Sequence, residues 1–358
     1  MGDRIIACRI PAGIRAARSV LLRDRGCIRE RMPGFSGGLS GEVKMLRRTR
    51  NLVRRLVDNR SAIRRDISLT LSHLTTLPFV VFPLKSEPSV SSELDPGSYN
   101  SWGDIGNALF QILVPVTRES ISPGTLVVRS SRVTVEEHSS RWFFINGVGT
   151  APPVALVNAA EIARIFCRPV HLVHTPTWGL LRDVIDSFTA RTLRKDGRLS
   201  RPAFYVIQEA LENHERVVLV CHSQGTIVAS YIVRKLLRHS STRHLVRKLE
   251  LYCIGGVADS LHVDDAMTRE VGHPVPYVEH FANGRDFFSQ VGILSHLDST
   301  AGTVFCIPER TGHLLNEHYL AGIARGDYCN RRSRLYRYAR GREPGMTDYM
   351  PVQPLDAA

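Results

Sequence analysis

The stretch Val217-Val218-Leu219-Val220-Cys221-His222-Ser223-Gln224-Gly225-Thr226-Ile227-Val228-Ala229-Ser230 changes its periodicity half-way along. Residues 217–220 are four aliphatic side chains in a row, as in a strand buried on both faces of a parallel sheet. From Thr226 onward Ile227, Val228, Tyr231, Ile232, Leu236 and Leu237 recur at helical spacing, with Arg234, Lys235 and Arg238 between them. Ser223 therefore lies where a strand turns into a helix. At such a turn a hydroxyl can stand exposed while amide groups at the helix start face a developing anion. The residues two before and two after it, Cys221 and Gly225, are small, as a tight turn requires. The plainer role for the same serine is a helix N-cap.

The pattern resembles the nucleophile elbow of the α/β-hydrolase superfamily, G-x-S-x-G, with Cys221 in place of the first glycine. The rest of the chain agrees with the fold this resemblance implies. Strand patterns at Arg141–Ile145, Val170–His174, Val217–Val220, Leu249–Ile254, Pro276–Phe281 and Thr303–Ile307 alternate with helical ones at Val154–Cys167 and Phe204–Leu211. Alternation of this kind calls for an α/β fold: a mostly parallel central sheet with right-handed crossovers and helices on both faces. Thr125–Val128 and Arg132–Glu136 read as a hairpin at the sheet edge.

A serine without a base is a poor nucleophile at neutral pH. The superfamily supplies acid and base downstream of the serine, each on a turn after a later strand. Asp286 follows the strand ending near Phe281, and His313 follows the strand ending near Ile307. The resemblance thus implies a catalytic set of Ser223 as nucleophile, His313 as base and Asp286 as the acid that orients it. Asp259 and Asp264 compete for the acid and His318 for the base, while His280 lies within a strand; helix capping is the alternative role for Asp286. For the oxyanion, the resemblance implies the amide of Gln224 and a second donor, Val148 or Gly147, on the turn after Asn146, where related enzymes often have His-Gly. His222 and Trp178 are placed in the substrate pocket, with Leu180 and Leu181 beside the latter. The expected activity is metal-free and cofactor-free cleavage of a carboxylic ester, from a lipid or a small acyl compound. The rival expectation is a hydrolase-like scaffold that binds a ligand or partner without turnover.

The chain divides by composition into residues 1–41, an Arg-rich extension expected to be disordered; 42–101, a basic amphipathic helix and polar linker; 102–328, the catalytic domain; and 329–358, a solvated basic, Pro-containing tail. The formal charge of +13 is concentrated at the start: residues 1–65 carry 17 Arg and Lys against 5 Asp and Glu, leaving about +1 for the remainder. That distribution gives no basis for a nucleic-acid partner. The helix over 42–74 alternates Arg47, Arg48, Arg54, Arg55, Arg64 and Arg65 with apolar residues and suits either docking on the body or peripheral contact with an anionic membrane. No apolar run approaches the roughly 20 residues of a membrane span. Seven scattered cysteines without a C-x-x-C pair fit a reduced, cytoplasmic compartment.

Overall fold

The computed structural model describes residues 6–9, 60–80, 91–95, 126–129, 140–147, 150–175, 200–258 and 276–344, with single positions 54, 57, 97, 103 and 261. Within them, β1 (Ile6–Arg9), β2 (Leu126–Arg129), β3 (Ser140–Ile145), β4 (Val170–Val173), β5 (Arg216–His222), β6 (Leu249–Ile254), β7 (Tyr277–Asn283) and β8 (Thr303–Ile307) form one sheet. Their order is β1-β2-β4-β3-β5-β6-β7-β8. β2 pairs antiparallel with β1 and β4, and the remaining neighbours pair in parallel. Parallel neighbours need crossovers. Helix α1 (Arg60–Ser72) precedes this part of the sheet, and α2 (Pro152–Phe166), α3 (Ser200–Asn213) and α4 (Gly225–Arg238) lie between successive strands from β3 to β6.

The aliphatic run of β5 explains the two cores. Val217, Leu219 and Cys221 point to one face, where α3 and α4 cover them. Val218 and Val220 point to the other, against α2 and the helical segments that follow β8. Segments near the two ends of the sequence depart from the expectations above. Residues 6–9, expected within a disordered extension, form an edge strand, because four residues suffice when only backbone pairing to β2 is needed. Helix α1 ends at Ser72 and continues as a 3₁₀ segment, Leu74–Val80, through Pro78. Leu69 and Val80 pack against Val257, Phe287, Phe288 and Val291. The second strand expected for the edge hairpin lies outside the described residues.

The supposed solvated tail is also partly core. Arg334 and Leu335 open a short helix, Arg334–Ala339, and Leu335 and Tyr338 are buried. A buried arginine needs a counter-charge, and Glu250 on β6 provides it at 2.7 Å, with the guanidinium stacked 4.0 Å over the Tyr277 ring. Glu279 on β7 accepts the Arg334 amide at 2.8 Å and the Ser333 hydroxyl at 2.6 Å. Tyr338 reaches Glu250 at 3.0 Å and packs edge-on against Trp142. All these contacts gather at the end of the sheet where β6 begins. Removing one partner of a buried ion pair strands the other. Glu250→Ala is therefore expected to lower the unfolding free energy by about 3–5 kcal/mol in urea titration.

Candidate active site

Ser223 sits between β5 and α4 with φ 52°, in the left-handed region. A non-glycine residue there costs on the order of 1–3 kcal/mol and persists only when its surroundings over-determine it. They do so here. The Ser223 amide donates to the Ile254 carbonyl at 2.9 Å, and the Thr226 hydroxyl donates to the Ser223 carbonyl at 2.7 Å. The same Thr226 oxygen accepts the amides of Val257 and Ala258, at 3.2 and 3.1 Å, and so ties the start of α4 to the segment after β6. A Cβ at position 225 would lie 2.6 Å from the Ile145 carbonyl oxygen, and one at position 147 would lie 2.8 Å from the Ser223 Cβ. A central strand of a largely parallel sheet thus runs through a left-handed serine into a helix. The chain has the α/β-hydrolase fold.

Asp286 and His313, 27 positions apart, meet at the same edge. His313 Nδ1 lies 2.7 Å from Asp286 Oδ2. Asp286 also caps the helix Phe287–Val291 through Oδ1, which accepts the Phe288 amide at 3.0 Å. The capping role and the histidine contact are compatible because each uses a different oxygen. Oδ2 accepts two further bonds, from the Tyr319 hydroxyl at 2.7 Å and from Ser289 at 2.9 Å. Burial by itself would push the Asp286 carboxyl up. The neighbouring His313 and the hydrogen bonds from His313, Tyr319 and Ser289 outweigh it and hold the group below the usual carboxylate range. Phe288 lies against the His313 ring, with centroids 4.3 Å apart.

Ser223 Oγ and His313 Nε2 are both buried and without a hydrogen-bond partner among the described residues. They belong to one small neighbourhood. Ile254 holds the Ser223 amide, and the next residue, Gly255 at φ 57°, is so close to the imidazole that a Cβ there would lie 3.0 Å from His313 Cε1. His222, expected in the pocket, is buried and engaged with the main chain: its Nε2 donates to the His313 carbonyl at 2.8 Å. Burial, with repulsion from His313, lowers its pKa to about 3. His318 takes a comparable supporting position, its Nδ1 accepting the Leu314 amide at 3.0 Å, and His280 in β7 is paired with the Ala301 carbonyl.

Gln224 occupies the N-cap position of α4, directly after the serine. The Asn146 side chain accepts the Thr175 amide at 2.7 Å and donates to the Thr175 carbonyl at 3.0 Å, which locks the end of β3 to the end of β4 and presents Gly147 to Ser223. Val148, Trp178, Leu180, Leu181, Asp259 and Asp264 lie outside the described residues. Among the described residues no group of three or more His, Cys, Asp and Glu could hold a metal ion. Tyr319, Ser289 and Asn283 escaped the sequence reading. Asn283 Nδ2 donates to the carbonyls of Thr311 and Gly312 at 3.3 and 2.9 Å, and Asn283 Oδ1 accepts the Tyr328 hydroxyl at 2.6 Å.

No protein-family model and no curated protein sequence matches the chain. Solved structures similar to it include an arylesterase, with 11% identity over 63% of this chain and 93% of that one and a TM-score of 0.37. Esterase B from Lactobacillus rhamnosis is 11% identical over 63% of this chain and 84% of that chain, with a TM-score of 0.38. A hormone-sensitive lipase from a metagenome library is 8% identical over 60% and 84%, with a TM-score of 0.33. At these values the geometry, rather than the likeness, carries the functional reading.

His222 makes a pH prediction. Its folded pKa is depressed to about 3 from an ordinary 6.5, so its contribution to stability is complete above pH 6.5 and is lost as pH falls through that window. His222→Gln keeps a donor for the His313 carbonyl without a titrating ring. The Tm advantage of the native chain over His222→Gln is expected to shrink between pH 8 and pH 5 in differential scanning calorimetry.

Proposed function

We propose that the protein is a serine hydrolase that cleaves carboxylic esters through an acyl-enzyme on Ser223, with His313 as general base and Asp286 as the acid that orients it. The observation that carries this reading is the pairing of His313 Nδ1 with Asp286 at 2.7 Å, while Nε2 and the Ser223 hydroxyl, both buried, make no hydrogen bond to the described residues. With Nδ1–H donated to Asp286, the lone pair of the neutral ring is on Nε2. That nitrogen takes the Ser223 proton as Oγ attacks the acyl carbon. The tetrahedral oxyanion is stabilised by the amide of Gln224 and by a second donor, Val148 or Gly147. His313 then returns the proton to the leaving alkoxide, and a water activated by the same nitrogen releases the acid.

Esters are the substrate class this machinery serves most directly. A fluorophosphonate probe is expected to modify Ser223 in the folded chain; absence of an adduct sinks the reading. Ser223→Ala and His313→Ala are expected to abolish hydrolysis of p-nitrophenyl butyrate. Asp286→Asn is expected to lower kcat on the order of 10³- to 10⁴-fold, since the amide favours the wrong imidazole tautomer.

We further propose an anionic lipid surface as a partner of α1. The helix docks through Leu69, yet Ile67, Leu71, Leu74 and Leu77 stand exposed, at 39–62%, alongside exposed Arg60, Arg64 and Arg65. Apolar side chains rimmed by arginine suit insertion among negatively charged headgroups. No helix among the described residues is long and apolar enough to cross a membrane. The triple variant Ile67→Ser, Leu71→Ser, Leu74→Ser is expected to lose sedimentation with phosphatidylserine vesicles. Sedimentation equal to that of the native chain overturns the assignment.

A further inference from the structure

The turn that carries His313 is fastened along its main chain. Asn283 holds the carbonyls of Thr311 and Gly312, His222 holds the His313 carbonyl, and His318 holds the Leu314 amide. Two more fasteners come from the segment that precedes the body of the sheet. The carbonyl of Val80 accepts the His313 amide at 2.9 Å. The carboxylate of Glu93 accepts the amides of Asn316 and Glu317 at 2.8 and 3.2 Å, where the π-helical turn Leu315–Leu320 begins.

Glu93 is presented by a turn that holds its own shape. Ser92 accepts the Leu94 amide on its hydroxyl at 3.2 Å and the Asp95 amide on its carbonyl at 3.2 Å. The contact is also reciprocal, since Asn316 Nδ2 donates to the Ser91 carbonyl at 2.7 Å. Amides in the first turn of a helix have no partner within it, and a carboxylate is the acceptor best matched to two of them at once. From Asn316 to His313 the chain runs three residues, so the position of this helix start sets the position of the imidazole.

We propose that Glu93 is a positioning residue for His313: by bracketing the start of the helix that follows, it keeps the imidazole in place against Asp286. The proposal rests on the reading of Ser223, Asp286 and His313 as the reacting set. The carboxylate acts at a cost to the fold. Burial pushes Glu93 up to about 7, against the pull of the Asn316 and Glu317 amides and with repulsion from the Glu317 side chain. A raised folded pKa means that this contribution to stability is complete below about pH 4.5 and is lost as pH rises through 7. A glutamine would escape that loss but has one acceptor oxygen where the carboxylate uses two.

The test compares Glu93→Gln and Glu93→Ala with the native full-length chain, using p-nitrophenyl butyrate. With about 1 Å of misplacement worth on the order of 100-fold, kcat is expected to fall roughly tenfold in Glu93→Gln and roughly 100-fold in Glu93→Ala, with KM within about twofold. Over the same samples, the Tm of Glu93→Gln relative to the native chain is expected to rise as pH goes from 5 to 8. Activity and stability thus move in opposite directions, which a purely structural role does not produce. If Glu93→Ala does not fold, Glu93→Gln alone decides. Unchanged kcat in a folded variant, or a kcat loss that merely follows the folded fraction, overturns the proposal. The low-field Nδ1–H proton resonance of His313 separates the two readings because it needs no substrate. Its broadening in a folded Glu93 variant supports the positioning role even if the native chain hydrolyses no ester, and its persistence unchanged overturns that role.

Discussion

A serine in left-handed backbone stays there only where every relaxed alternative is blocked, and the packing around Ser223 is that blockade. Gly147 and Gly225 let the ends of β3 and the start of α4 close on it to distances that admit no side chain. The Ile254 carbonyl holds its amide from the neighbouring strand. Much of the architecture follows from keeping this one conformation. The three strands concerned are parallel neighbours, so their carboxyl ends lie at one edge. An edge of that kind is where open α/β sheets place their chemistry.

The second constraint is electrostatic. An ionised carboxylate without solvent is tolerated only when hydrogen bonds replace its hydration. Asp286 receives four, from His313, Tyr319, Ser289 and the Phe288 amide. Such a group is rigid as well as charged, so it fixes the imidazole plane and its tautomer together. The opposite end of the sheet solves the same problem differently. There Glu250 meets the guanidinium of Arg334 and the hydroxyls of Tyr252 and Tyr338, and the outcome is attachment of the helix Arg334–Ala339.

What could be read from the sequence was whatever is local or periodic. The strand-turn-helix at Ser223 is a contiguous signal, and the strands at Leu249–Ile254 and Thr303–Ile307 have the boundaries their apolar runs suggest. Asp286 and His313 could be named because each follows such a strand. Tyr319 and Asn283 could not, since a buried hydroxyl or amide carries no mark of its partner in the primary order. The C-terminal segment was misread for a related reason: Arg334 looks solvated until Glu250, 84 positions earlier, is seen to neutralise it. The linker around Glu93 looked featureless because its partner lies more than half the chain away.

That separation bears on how the molecule comes into being. Glu93 and Asn316 are 223 positions apart, so the bracket around the histidine closes only after most of the polypeptide has been made. Closing so long a loop is entropically costly and awaits the strands that bring its ends together. The Glu93 contacts to the turn after His313 are therefore expected among the late events of assembly.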